Sequence, residues 1–228
     1  MNQTLPKPEK PILIIGISAT IFMLALPIFL NCLGLTIFPS NAKYLYLKEL
    51  YPWVVLALLF LYAIKIERQQ FLIWSEKSYP FTFYLKSIFK IMFLSLVCAI
   101  IVGVSVKLMG LNNKSDITDK LMHIIQKNKL LILLVPFTAG ITEELICRGY
   151  MLTRLEMLIN KPSVSIAVSA IIFGILHISY GTIGQMLIPL CLGLIFAVYY
   201  YKYRNIKLII LCHFLWDFIV IYTKVGSK

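Results

Sequence analysis

The chain has 228 residues, of which 60% are hydrophobic and 14% charged, with a mean hydropathy of +0.85 and a formal net charge of +12. That composition excludes an ordinary soluble domain and implies an all-α integral membrane protein. The 22 Lys and Arg fall in short connections between apolar runs, so the positive charge belongs at lipid headgroups and does not form a nucleic-acid patch.

Crossing a hydrocarbon core of about 30 Å takes about 20 helical residues. In chain order, the apolar runs predict spans at about 11 to 36, 50 to 66, 88 to 110, 129 to 155, 163 to 180, 184 to 202 and 206 to 223. Lys7 and Lys10 precede the first run, but no small-residue cleavage site interrupts it, so it is expected to stay as a helix. Between the second and third runs, residues 71 to 87 mix aromatics, charges and a proline. That stretch predicts an interfacial or re-entrant segment with Trp74 and Tyr79 at headgroup depth; read as an eighth crossing, it would flip the N-terminus. Residues 111 to 128 form a polar connection in which His123 is expected to be solvated.

No repeat or linker divides the chain, so N-terminal helices over 1 to 128 and a helical core over 129 to 228 form one helical unit. The turn at 178 to 185 is uncharged while its neighbours carry Arg154, Lys161, Lys202, Arg204 and Lys207, which places that turn outside. Cys32, Cys98, Cys147, Cys191 and Cys212 lie in or beside apolar runs without metal-site spacing and are expected to be buried thiols.

The late runs hold charge where lipid should be. Glu143, Glu144, Arg148, His177, His213 and Asp217 all fall inside expected spans. A central charge costs about 2.5 to 3.5 kcal/mol on insertion scales, so these groups must face one another, water or a metal. Glu144 and Arg148 are four apart and can pair on one helix face, while Glu143 points about 100° away. His213 and Asp217 are also four apart, which lets the carboxylate orient the imidazole. At about 1.5 Å per residue, Glu143, His177, His213 and Asp217 lie about 12 to 21 Å from the same membrane side. Three helices can therefore converge on one polar site.

Two His and a carboxylate can form a catalytic zinc site with a position left for water. The same groups can instead activate water without metal, with Glu143 as base and His213 assisting an oxyanion. Spacing leaves both open. A lone intramembrane aspartate argues against an aspartyl dyad, and no H-E-x-x-H or convincing G-x-S-x-G is present. Gly140, Gly149 and Gly174 are expected to permit close helix approach, and Pro136 to bend its helix.

The ordered elements Glu143-Glu144-x-x-x-Arg148, Phe173-x-x-x-His177 and His213-x-x-x-Asp217 resemble the CPBP family. That family includes type II CAAX-prenyl endopeptidases and bacterial Abi proteins linked to bacteriocin self-immunity, and the resemblance covers about residues 129 to 223. It implies an intramembrane endopeptidase, in a bacterial cytoplasmic membrane, acting on a membrane-associated peptide or protein. Glu143, Glu144, His177, His213 and Asp217 would form the catalytic set, with Arg148 and Phe173 in support. If zinc is the cofactor, His177, His213 and Glu143 would be its ligands. The alternatives are a membrane immunity or signalling scaffold that cuts nothing, and an ion-coupled transporter; the latter predicts repeated halves, which are absent from this sequence.

Overall fold

A computed structural model describes residues 8 to 35, 41 to 112 and 114 to 226. Among these there is no strand, and helices follow one another almost without interruption. Helix α1 spans Lys10–Cys32, and α2 spans Ala42–Tyr62 with a π-helical extension Ala63–Glu67. Next come α3, Phe81–Leu108, and the short α4, Asp116–Lys127. Helix α5, Leu131–Glu144, runs on through π-helical Leu145–Leu152 into α6, Thr153–Ile159. Helix α7, Pro162–Leu176, ends in a 3-10 turn His177–Tyr180, followed by α8, Ile183–Tyr203, and α9, Ile206–Gly226.

Six of these helices are long and apolar enough to cross a membrane. Four of them correspond to expected spans in order, while α2 and α3 each begin about two turns earlier than expected. The run at 129 to 155 is the composite of α5, its π-helical continuation and part of α6. Residue 36, the expected end of the first span, and Lys7 lie outside the described residues.

Three expectations change. Helix α3 begins at Phe81, right after Pro80, so only residues 71 to 80 are irregular. The aromatics, Pro80 and the charges up to Lys86 made residues 71 to 87 look interfacial, but a long lysine side chain can run its stem along apolar surface and so lie on a spanning helix. The polar connection at 111 to 128 contains α4, an amphipathic helix capped by Ser115, whose hydroxyl accepts from Thr118 N at 3.2 Å. Its apolar stripe, Met122 and Ile125, packs on Leu45, Leu131 and Ile221 at the ends of α2, α5 and α9, while His123 is exposed as expected. Of the cysteines, Cys147 and Cys212 are buried, but Cys98 and Cys191 are only half-buried and Cys32 is exposed. An apolar thiol in a span has no need to leave lipid, so its helix face decides.

Two close approaches bring the late helices together. At Gly140, an added Cβ would stand 3.1 Å from both the Ile210 carbonyl and the Phe214 amide, so α5 and α9 touch backbone to backbone. At Gly174, it would stand 2.6 Å from Leu190 Cβ, which sets α7 against α8. Gly149 differs from expectation, because its neighbour is Leu72 of the irregular segment, 2.7 Å from the position of a Cβ, and not another helix.

The N-terminal half is tied to the late helices by one buried knot. Arg154 on α6 reaches Glu67 with Nη2 at 2.8 Å and Nε at 3.0 Å, both groups fully buried. The same guanidinium donates to the carbonyls of Phe71 at 2.6 Å and Gln70 at 3.1 Å. Tyr150 donates to the other Glu67 oxygen at 2.6 Å, and Gly16 on α1 leaves room for that hydroxyl. Planar, forked guanidinium geometry suits this multiple pairing. Farther along, Tyr79 donates to the Tyr203 carbonyl, Asn205 to the Lys77 carbonyl, and Arg204 stacks 3.9 Å over Trp74. Segment 71 to 80 is therefore strapped across the α8–α9 turn.

Removing one partner of a fully buried ion pair leaves an uncompensated charge at a cost of about 3 to 5 kcal/mol. Thermal unfolding in detergent should show Arg154→Met strongly destabilised, with much of the loss recovered in the Arg154→Met, Glu67→Gln double variant. By the same measurement, Gly140→Ala should cost about 1 to 3 kcal/mol, because the contacting atoms on α9 are backbone and give way poorly.

Candidate active site

The site forms where α5, α7 and α9 face one another. Glu144 lies fully buried at the end of α5 and, one turn on, Arg148 meets it with Nη1 at 2.9 Å from Oε1. That same Oε1 lies 2.7 Å from Nδ1 of His213 on α9. Because the carboxylate is already paired with a guanidinium, the imidazole nitrogen is the donor. One oxygen thus ties the α5 continuation to α9, and Glu144 orients His213 more closely than Asp217 does.

Asp217, one turn along α9, stands with Oδ2 at 3.4 Å from His213 Nε2. Glu144 at Nδ1 and Asp217 at Nε2 thus place a carboxylate oxygen at each ring nitrogen of His213. Across the site, His177 donates from Nδ1 to the Phe173 carbonyl at 2.7 Å, since a carbonyl oxygen only accepts. The other ring nitrogen, Nε2, faces the site.

Glu143 occupies the space between the two rings. Its Oε2 lies 3.9 Å from His177 Nε2 and 3.9 Å from His213 Nε2, beyond direct hydrogen-bond reach and within reach through a water. This buried oxygen has no hydrogen-bond partner among the described residues. The side chain as a whole is 33% exposed whereas Glu144 is fully buried, so the two adjacent glutamates are divided between the open site and its buried brace.

Phe173 supports both halves of this arrangement. Arg148 Cζ sits 4.3 Å above its ring, which also lies 4.7 Å from the His177 ring and meets His213 edge-on at 6.0 Å. Phe196 of α8 flanks the same guanidinium at 5.8 Å and His213 at 5.6 Å. Two Arg148 nitrogens, Nε and Nη2, have no hydrogen-bond partner among the described residues, and ring faces take their place. Gly193 makes this possible, because a Cβ there would stand 3.0 Å from Nη2 and 3.1 Å from Phe173.

The structure therefore brings all seven expected residues into one cluster on three helices. It adds groups that the sequence did not single out. Glu49 of α2 stands within electrostatic reach of Glu143 and Asp217, and Tyr180 within reach of all three. Helix α4 covers this end, where Ser115 donates to the Tyr180 carbonyl and Gln185 of α8 donates to Thr118 at 2.5 Å. Glu49 lies just before the expected second span, 50 to 66, and entered the helix only because α2 starts at Ala42. Phe196 and Gly193 carried no signal in the sequence.

The donor types here suit zinc, with imidazole nitrogens and carboxylates and a second shell already formed by Glu144 and the Phe173 carbonyl. Their spacing does not, because among the described residues no three His, Cys, Asp or Glu side chains stand close enough to hold a metal together. His213 Nε2 also faces Asp217 and would have to present a lone pair in its place.

No curated protein and no solved structure matches this chain. The family described as Rce1-like type II CAAX prenyl endopeptidase matches over residues 125–219. That stretch holds Glu143, Glu144, Arg148, Phe173, His177, His213 and Asp217, and it leaves α1 to α3 and most of α4 outside. A peptidase of the membrane is the class that match supports, and residues 125–219 are the part of this chain that is similar to the Rce1-like type II CAAX prenyl endopeptidases.

Proposed function

We propose that the protein is an endopeptidase that hydrolyses a peptide bond of a membrane-associated peptide or protein, with Glu143 as the base. The observation that carries this reading is the placement of Glu143 Oε2, unpartnered and 3.9 Å from each histidine Nε2. A water held there would donate to Glu143 and to the lone pair of His177. Glu143 takes one proton as the water oxygen attacks the scissile carbonyl carbon. The carbonyl π electrons move to oxygen, and the Nε2–H of His213, supported by Glu144 and Asp217, faces the developing oxyanion. Glu143 then passes its proton to the departing amine, and the C–N bond breaks. Arg148 stays outside the reaction and pairs with Glu144, which orients His213.

Zinc enters this reading as a separate question about loading, since the ligands would be His177, His213 and Glu143. A bound zinc would polarise the carbonyl or its own water. The steps above are carried by this chain's residues alone, because those three donors do not close on one point. The reading of a scaffold that cuts nothing is less economical, since partner binding does not require a half-buried carboxylate between two imidazoles.

The test is cleavage of a peptide library, with and without a prenyl group, by the full chain in detergent, together with its bound zinc. Glu143→Gln should abolish cleavage while thermal unfolding stays near wild type, and His177→Ala should reduce kcat by about 10²- to 10⁴-fold. Cleavage that ignores chelator supports the water-activating glutamate, whereas stoichiometric zinc that is lost in His177→Ala along with activity would move the mechanism to metal. A folded wild type without cleavage or metal would favour the scaffold.

A further inference from the structure

One cavity lies away from the catalytic cluster, on the face of α2 that turns from α1. It measures about 1100 Å³ and is a groove walled by Trp53, Leu56, Phe60, Phe71, Leu72 and Leu145. Its walls are almost wholly apolar until one end, where Arg68, Gln69 and Gln70 close it. From Trp53 to Arg68 the groove follows about 15 residues, roughly 22 Å of helix. That is about half a bilayer with its headgroup layer, since the hydrocarbon core is about 30 Å and the whole bilayer about 40 to 45 Å thick. A substrate helix would need the full thickness; one leaflet's lipid does not.

The polar end carries the second argument. Arg68 follows the span Ala42–Glu67, is exposed, and its guanidinium has no hydrogen bond or ion pair among the described residues. It also adopts φ 54°, a left-handed conformation that disfavours a side chain of this kind. The groove is built in advance of any ligand. Arg154 holds the carbonyls of Gln70 and Phe71, Trp53 donates to Thr138 at 3.3 Å, and Leu72 packs on Gly149. Apolar walls one leaflet deep, ending in an unpaired cation at headgroup level, match a single-chain anchor with an anionic head.

We propose that this groove binds an acyl chain of an anionic glycerophospholipid, with the lipid phosphate on Arg68. The site is independent of the proteolytic reading, because no residue of the groove belongs to the catalytic cluster. It gives the protein a resident lipid against the α5 continuation, whose Leu145 forms part of the wall one residue after Glu144.

The test is lipid retention by the full chain, purified in detergent and exposed to equal amounts of phosphatidylglycerol and phosphatidylcholine with identical chains, read by native mass spectrometry. Wild type should retain the anionic lipid about fivefold over the zwitterionic one, the factor that about 1 kcal/mol per basic residue at the membrane surface corresponds to. Arg68→Gln should erase the preference and keep chain binding, while Ala57→Trp, which fills the groove from an exposed position, should lower retention of both lipids. Thermal unfolding of both variants checks that they fold. Equal retention of the two lipids by wild type, or unchanged retention in Ala57→Trp, overturns the proposal. So does a phosphate-free farnesylated peptide that displaces the lipid equally from wild type and Arg68→Gln, which would give the groove to a substrate chain.

Discussion

A carboxylate with no access to water is the constraint around which the late helices are arranged. Glu144 is fully buried, and its Oε1 serves both Arg148 at 2.9 Å and His213 at 2.7 Å. Without those donors the charge would be prohibitive at this depth. Each donor in turn requires something else. Arg148 requires the faces of Phe173 and Phe196, those rings require the missing side chain of Gly193, and His213 requires α9 to come close to α5 at Gly140. Removing Glu144 would therefore unsettle three helices as well as one pair.

The brace leaves its neighbour free. Because adjacent residues on a helix point about 100° apart, satisfying Glu144 inside the bundle directs Glu143 to a different face. There it meets two imidazoles at equal distance, one ring fixed by a backbone carbonyl and the other by the braced carboxylate. The positioning is thus indirect, since neither histidine is held by Glu143 itself. A π-helical segment begins at Leu145, directly after this pair, and such turns are often found at functional sites. It carries Arg148 toward Glu144 and Tyr150 toward Glu67, so one helix serves two buried anionic groups.

The second of these groups explains how the N-terminal helices take part. Glu67 ends the α2 extension, and Arg154 grips it together with the carbonyls of the following loop. This fixes α2 beside α5, which places Glu49 near Glu143 and Asp217 and shapes the groove that ends at Arg68. Helix α4 completes the enclosure from the end at which Tyr180 lies. The segment that matches the peptidase family holds the clustered ionisable groups, while the preceding helices supply walls around them.

Much of this was legible in the residues because charge in a span is expensive. Composition required membrane helices, and the cost of Glu143, Glu144, Arg148, His177, His213 and Asp217 in apolar runs required that they meet. Spacing by four predicted the Glu144 to Arg148 pair and the His213 to Asp217 pair, both of which form. Spacing could not predict that Glu144 reaches across 69 positions to His213, or that Arg154 reaches across 87 to Glu67. It also passed over α4, because an amphipathic helix without a long apolar run resembles a polar loop. The sequence by itself determined the membrane class, the helical order and the residues that had to leave lipid, since each follows from local hydropathy and helical period. Only the tertiary structure decided which long-range partners they found and where the groove lies, because those depend on helix faces meeting at glycines far apart in the chain.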